Sequence, residues 1–157
     1  MGHYNFIQDL EQAKKTEEKV AQLLIKEYGA TDISFLNTNE YDISATMSGA
    51  KLTFEIKEDF MCQFTGNVAV EFASRGKPSG IEVSNADYYV YVIHSKSDGK
   101  KIVEYLLYRT SELKRMIEDN LYFRIVSGGD PGSNTKNYLF SHDVFVNHGV
   151  RFALENV

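Results

Sequence analysis

The sequence predicts an α/β (α+β) fold in which a long N-terminal helix packs on a mixed central β-sheet flanked by helices. Three observations lead there: apolar residues at helical spacing as far as Tyr28, a change to period two after Gly29, and the nearly continuous apolar run from Tyr88 to Ile93. At 157 residues the chain suits one domain spanning its whole length, since domains run to roughly 100–200 residues.

Ile7, Leu10, Ala13, Val20, Ala21, Leu24 and Ile25 follow the three-and-four spacing of an amphipathic helix, which Gly29 stops. The polar turn in its middle carries Lys14, Lys15, Glu17, Glu18 and Lys19. Residues 33–36 suit a short strand. Residues 41–47 and 51–57 alternate apolar with polar on either side of Ser48-Gly49, the pattern of a hairpin. In 67–73, Val68, Val70 and Phe72 share a face. The Tyr88 to Ile93 run, rich in aromatic and β-branched residues, is the expected central strand, covered on both sides. Strands at 102–108 and 122–126, a helix at 111–119 and a loop at 127–135 complete the readable part.

A content of 43% hydrophobic residues with only 2 Pro excludes a disordered chain. Seventeen basic against 22 acidic side chains give a net charge of −5, so a polyanion would have to be met by a local patch. The single cysteine, Cys62, excludes an internal disulfide and a multi-cysteine zinc site, and fits a small core residue. It agrees with a reducing, cytoplasmic location. No signal pattern opens the chain and no apolar run reaches the roughly 20 residues of a membrane span.

Pairing the hairpin strands about Ser48-Gly49 sets Met47 opposite Ala50, Ala45 opposite Leu52 and Ile43 opposite Phe54, all apolar. The other face then pairs Thr46 with Lys51, Ser44 with Thr53, and Asp42 with Glu55. Two carboxylates so close repel each other and call for a cation between them. Lys57 follows on the same face. Oxygen donors of this kind suit Mg²⁺, or Mn²⁺ in its place. With Lys57 to orient a water and stabilise charge on phosphorus, the set has what phosphodiester hydrolysis requires.

At these residues, Tyr41-Asp42-Ile43-Ser44-Ala45 followed by Phe54-Glu55-Ile56-Lys57, the chain resembles the PD-(D/E)XK nuclease superfamily. The family's usual proline before the aspartate is replaced by Tyr41. The resemblance implies a restriction-endonuclease-like core and a metal held by Asp42, Glu55 and the backbone carbonyl of Ile56. It also implies an accessory glutamate on the N-terminal helix: Glu17, with Val20 and Leu24 following, fits the spacing, and Glu18 is its neighbour. The stretch from Asn67 to Ile81 resembles small phage-type members.

The expected activity is therefore a Mg²⁺-dependent endodeoxyribonuclease acting on DNA. The alternatives are a Holliday-junction resolvase working as a homodimer and a non-catalytic nucleic-acid-binding domain of the same fold. Glu71 is a further acid on the strand after the hairpin. Arg75, Lys77 and Ser79, in a flexible loop, are candidate phosphate contacts. The glycine-rich segment 128–132 lacks the ending of a nucleotide-binding loop. His3, His94, His142 and His148 show no ligand spacing and read as structural.

Overall fold

The computed structural model describes residues 2–36, 41–128 and 132–154, with residues 2–9 as backbone only. The side chains of His3 and Ile7 and most of the glycine-rich segment 128–132 thus lie outside the described residues.

Helix α1 (Gly2–Tyr28) ends at Gly29, whose φ of +64° suits a residue without a Cβ. Val20, Ala21 and Leu24 are buried against the sheet, together with the Thr16 side chain. Leu10 and Ile25, expected on the same stripe, are about half exposed because they flank that seam. Strand β1 (Thr31–Phe35) is an edge strand, and β2 (Ile43–Met47) and β3 (Ala50–Asp59) form the hairpin. Ser48 and Gly49 both take positive φ, +51° and +80°, the backbone that a two-residue turn between right-twisted strands requires.

The short helix α2 (Cys62–Thr65) leads into β4 (Asn67–Ser74), β5 (Lys77–Pro78) and a 3-10 turn at Gly80–Glu82. Strands β6 (Tyr88–His94) and β7 (Ile102–Arg109) follow, then α3 (Thr110–Glu118), β8 (Arg124–Gly128), β9 (Thr135–Ser141), α4 (His142–Asn147) and β10 (Val150–Ala153).

The strands make two sheets rather than the one expected. The first is mixed, with six strands in the order β1-β2-β3-β6-β7-β10, and β3 lies parallel to β6. The second is antiparallel, in the order β5-β4-β9-β8. Period-two alternation shows that β4 has a buried face but not which sheet it joins. The strand expected at 122–126 begins later, because Tyr122 leaves the ladder to pack on Tyr138, ring centroids 4.6 Å apart.

Strand β6 is the centre of the large sheet, as its composition implies. Val90 and Val92 face α1 in one core with Ile43, Ala45 and Phe54. Tyr89, Tyr91 and Ile93 face the second sheet, α3 and α4 in another core with Val68, Val70, Leu113, Phe140 and Phe145. Among the described residues no helix is long and apolar enough to cross a membrane.

Candidate active site

The hairpin register matches the sequence reading pair by pair from Met47↔Ala50 to Ile43↔Phe54. Asp42 is where it departs. The ladder ends one step short of the expected Asp42–Glu55 pair, and the Asp42 N–H donates to the Phe54 carbonyl at 2.9 Å. Strand β3 runs on past this point with no β2 backbone beside it. The Asp42 carboxylate takes the vacated place and accepts the Ile56 N–H at 2.7 Å. In a strand the N–H and C=O of one residue point the same way, so the Ile56 carbonyl also faces that gap.

Side chains of β3 alternate about this point. Phe54 and Ile56 enter the core under α1. Glu55 and Lys57 point to the opposite face and form an ion pair, Nζ to Oε1, at 3.4 Å. Burial raises the Asp42 carboxyl above its usual range, against the Ile56 hydrogen bond and the Lys57 charge, which lower it. Burial also raises Glu55, the Asp42 charge adds to the rise, and Lys57 opposes it. The Glu55 carboxyl therefore feels the Asp42 charge.

Of the two candidate glutamates on helix α1, Glu17 is half-buried and Glu18 exposed. Burial raises the Glu17 carboxyl, as do the charges of Asp42 and then Glu58. Glu17 therefore lies near both Asp42 and Glu58.

Glu58 is a residue that sequence reading missed. Its Oε1 accepts the Thr16 hydroxyl at 2.7 Å and meets Nε2 of the fully buried His94 at 3.0 Å. These partners come from α1, β3 and β6, so no local pattern could reveal them.

Lys57 and Glu71 line one cleft of about 360 Å³ between the two sheets, with Asp59, Phe60, Met61, Tyr89 and Asn137 also in its wall. Burial pushes the Tyr89 hydroxyl up to about 12, against a hydrogen bond with Ser84 and with added push from Glu55, Glu71 and Asp42. Glu71 accepts the Ser79 hydroxyl at 2.8 Å. Ser79 therefore serves the acid. Arg75 and Lys77 stand exposed at the β4–β5 turn, outside the lining of the cleft.

A second polar group lies on the same face of the large sheet. Glu104, 3% exposed, is held by both His142 and Arg151 beside a cavity of about 540 Å³. Cys62 reaches the same cavity, and burial, with the charges of Asp59 and Glu104, pushes its thiol up to about 12. It stays a protonated core residue.

Among the described residues no three His, Cys, Asp or Glu side chains are grouped closely enough to hold a metal by themselves. The oxygen donors at the open edge of β3 are the Asp42 carboxylate, hydrogen-bonded to the Ile56 N–H, the Ile56 carbonyl, and the carboxylate of the adjacent Glu55, which feels the Asp42 charge. Hard oxygen donors of this number fit Mg²⁺, which is usually held by one or two carboxylates and completed by water and substrate phosphate. Compared with models of known protein families and with curated proteins, the chain matches none.

Proposed function

We propose that this protein is a divalent-cation-dependent deoxyribonuclease of the PD-(D/E)XK type, with its restriction-endonuclease-like core formed by α1, β1–β3 and β6. One observation carries the reading: the Asp42 carboxylate replaces backbone at the open edge of β3 by accepting the Ile56 N–H, one residue from Glu55 and its ion-pair partner Lys57. Asp42, Glu55 and the Ile56 carbonyl would hold Mg²⁺ or Mn²⁺. The bound ion would supply Lewis-acid charge for a phosphoryl oxygen and help ionise the attacking water.

The chain's own residues do the rest. Lys57, 38% exposed and in the cleft wall, reaches substrate and lends positive charge to the non-bridging oxygens as negative charge builds there. Glu17 sits where it would accept a hydrogen bond from a water on the α1 side of Asp42. Water adds to phosphorus, one P–O bond to sugar breaks, and the departing oxygen takes up a proton, leaving a phosphate monoester and a hydroxyl.

The test is cleavage of labelled single-stranded, duplex and branched DNA with Mg²⁺ or Mn²⁺, with EDTA as control and Lys57→Ala beside the wild type. Metal-dependent cutting that disappears in the variant is the expected result. Absence of cutting on every substrate overturns the reading.

A further inference from the structure

Three large apolar side chains stand in solvent where β3 leaves the site: Phe60 is 43% exposed, Met61 59% and Phe64 63%. They are not on a loose loop. The Asp59 carboxylate accepts the N–H groups of Met61 and Cys62 at 2.9 and 2.8 Å, which fixes the turn of α2. Met61 caps the start of α2 beside the cleft, and Phe64 lies within the helix, its N–H donating to the Met61 carbonyl at 2.9 Å. The Phe60 ring lies almost flat on the buried His94 ring, centroids 4.1 Å apart and planes at 13°.

The surroundings indicate what would cover them. Residues 95–101 carry Lys96, Lys100 and Lys101, all exposed, against one acid, Asp98. A Cβ on Gly99 in that loop would be 3.7 Å from the Phe60 ring, so the basic loop borders the aromatic one. In a protein of net charge −5 this is a local cationic patch. Cations beside rigid exposed aromatic rings are the combination that holds single-stranded nucleic acid, the rings stacking on bases and the lysines meeting phosphates. Uniform duplex DNA has its base faces already stacked and gains nothing from such a surface.

We infer that Phe60, Met61 and Phe64, with Lys96, Lys100 and Lys101, form a stacking platform for unpaired DNA bases, so that the strand presented to the Lys57 cleft is single-stranded or locally unpaired. The placement at the cleft rests on the nuclease reading above. It is reasonable in scale: from Lys57 to Phe60 an extended strand covers about 10 Å, which is roughly three stacked nucleotides at about 3.4 Å each. Asp42, Glu55 and Glu71 nearby make an anionic lipid surface a poorer occupant than a strand that brings its cation with it.

The test is fluorescence anisotropy with a labelled oligothymidylate and a duplex of equal length, in EDTA so that nothing is cut. Wild type, Phe64→Ala and Phe64→Tyr are compared, each checked for size by gel filtration. Wild type should bind the single strand more tightly than the duplex. Phe64→Ala should weaken single-strand binding about 5- to 150-fold, the equivalent of about 1–3 kcal/mol per stacked base, with little change on duplex, and Phe64→Tyr should restore it. Equal effects on both DNAs, no effect, no binding by wild type, or loss of self-association in place of loss of DNA binding would each overturn the platform. Wild type that binds in this way yet never cuts with Mn²⁺ would leave the platform and remove the nuclease. Wild type that cuts, with Phe64→Ala unchanged in binding, would do the reverse.

Discussion

Thr16 donates its hydroxyl proton to Glu58 Oε1 at 2.7 Å, tying helix α1 to strand β3 across 42 positions of sequence. The same oxygen faces His94 Nε2 at 3.0 Å. A carboxylate oxygen only accepts, so with Glu58 ionised that ring nitrogen carries the proton. Thr16 immediately precedes Glu17, and the tie thereby sets where Glu17 stands over Asp42. Since both donors converge on one oxygen, Glu58→Gln should keep the tie and change stability by less than about 1 kcal/mol. Glu58→Leu leaves the Thr16 hydroxyl its Gln12 carbonyl at 3.0 Å but strands Nε2 of the buried His94, and should cost about 1–3 kcal/mol in urea denaturation.

Glu17 and Glu18 are separated by burial, and activity should separate them too. Glu17→Gln is expected to lower cleavage about 10- to 100-fold, the usual effect of a group that supports a metal site from outside its ligands. Glu18→Gln should leave the rate unchanged. Steady-state kinetics at saturating Mn²⁺ checks both, and equal losses would remove the accessory role from Glu17.

The raised carboxyls of Asp42 and Glu55 make a pH prediction. A group whose folded pKa lies above its unfolded value contributes stability at low pH that is lost as pH rises through the folded pKa. Without divalent cation, stability from these two should therefore decline as pH rises above the ordinary carboxylate range, about 4. Asp42→Asn should raise the melting temperature at pH 7, since an amide oxygen still accepts the Ile56 N–H. Added Mn²⁺ should stabilise the wild type by about 2.7 kcal/mol at a hundredfold excess over Kd, less at pH 5, where protons compete, and not at all in Asp42→Asn.

Gly80 is held at φ +54°, and a Cβ there would fall 2.2 Å from the Glu71 carbonyl oxygen. Gly80→Ala should cost about 1–2 kcal/mol for the left-handed backbone alone, and more for the clash. For a chain of this size each kcal/mol moves the melting temperature by about 2–4 °C, so calorimetry should show a drop of several degrees. An unchanged value would mean that the Glu71–Ser79 wall of the cleft is not rigid.

The hairpin was legible because both its strands alternate and a slip by one residue would mix an apolar face with a polar one. That fixed the pairs from Met47 to Ile43 and brought Asp42 near Glu55. The break in the ladder at Asp42 was not legible, because it depends on a side chain competing with backbone for the Ile56 N–H. Glu17 could be named only through the spacing that the family resemblance implies, since helical periodicity by itself leaves it on a polar turn. Glu58 with His94, and Glu104 with His142 and Arg151, could not, as each group joins residues far apart in sequence whose neighbours carry no pattern. The second sheet escaped for a related reason: β4 pairs with β9, and alternation alone names no partner.

That pairing also bears on the order in which the molecule is assembled. The β2–β3 hairpin closes over two residues and can form early, with the Asp42 group nearly complete. Glu71 faces the cleft only once β4 has found β9, with Asn137 opposite Glu71 in the register, and closing so long a loop is the slower step. A refolding chain should thus hold its carboxylates together before it has built the wall that confines a substrate, and cation affinity should return ahead of catalysis.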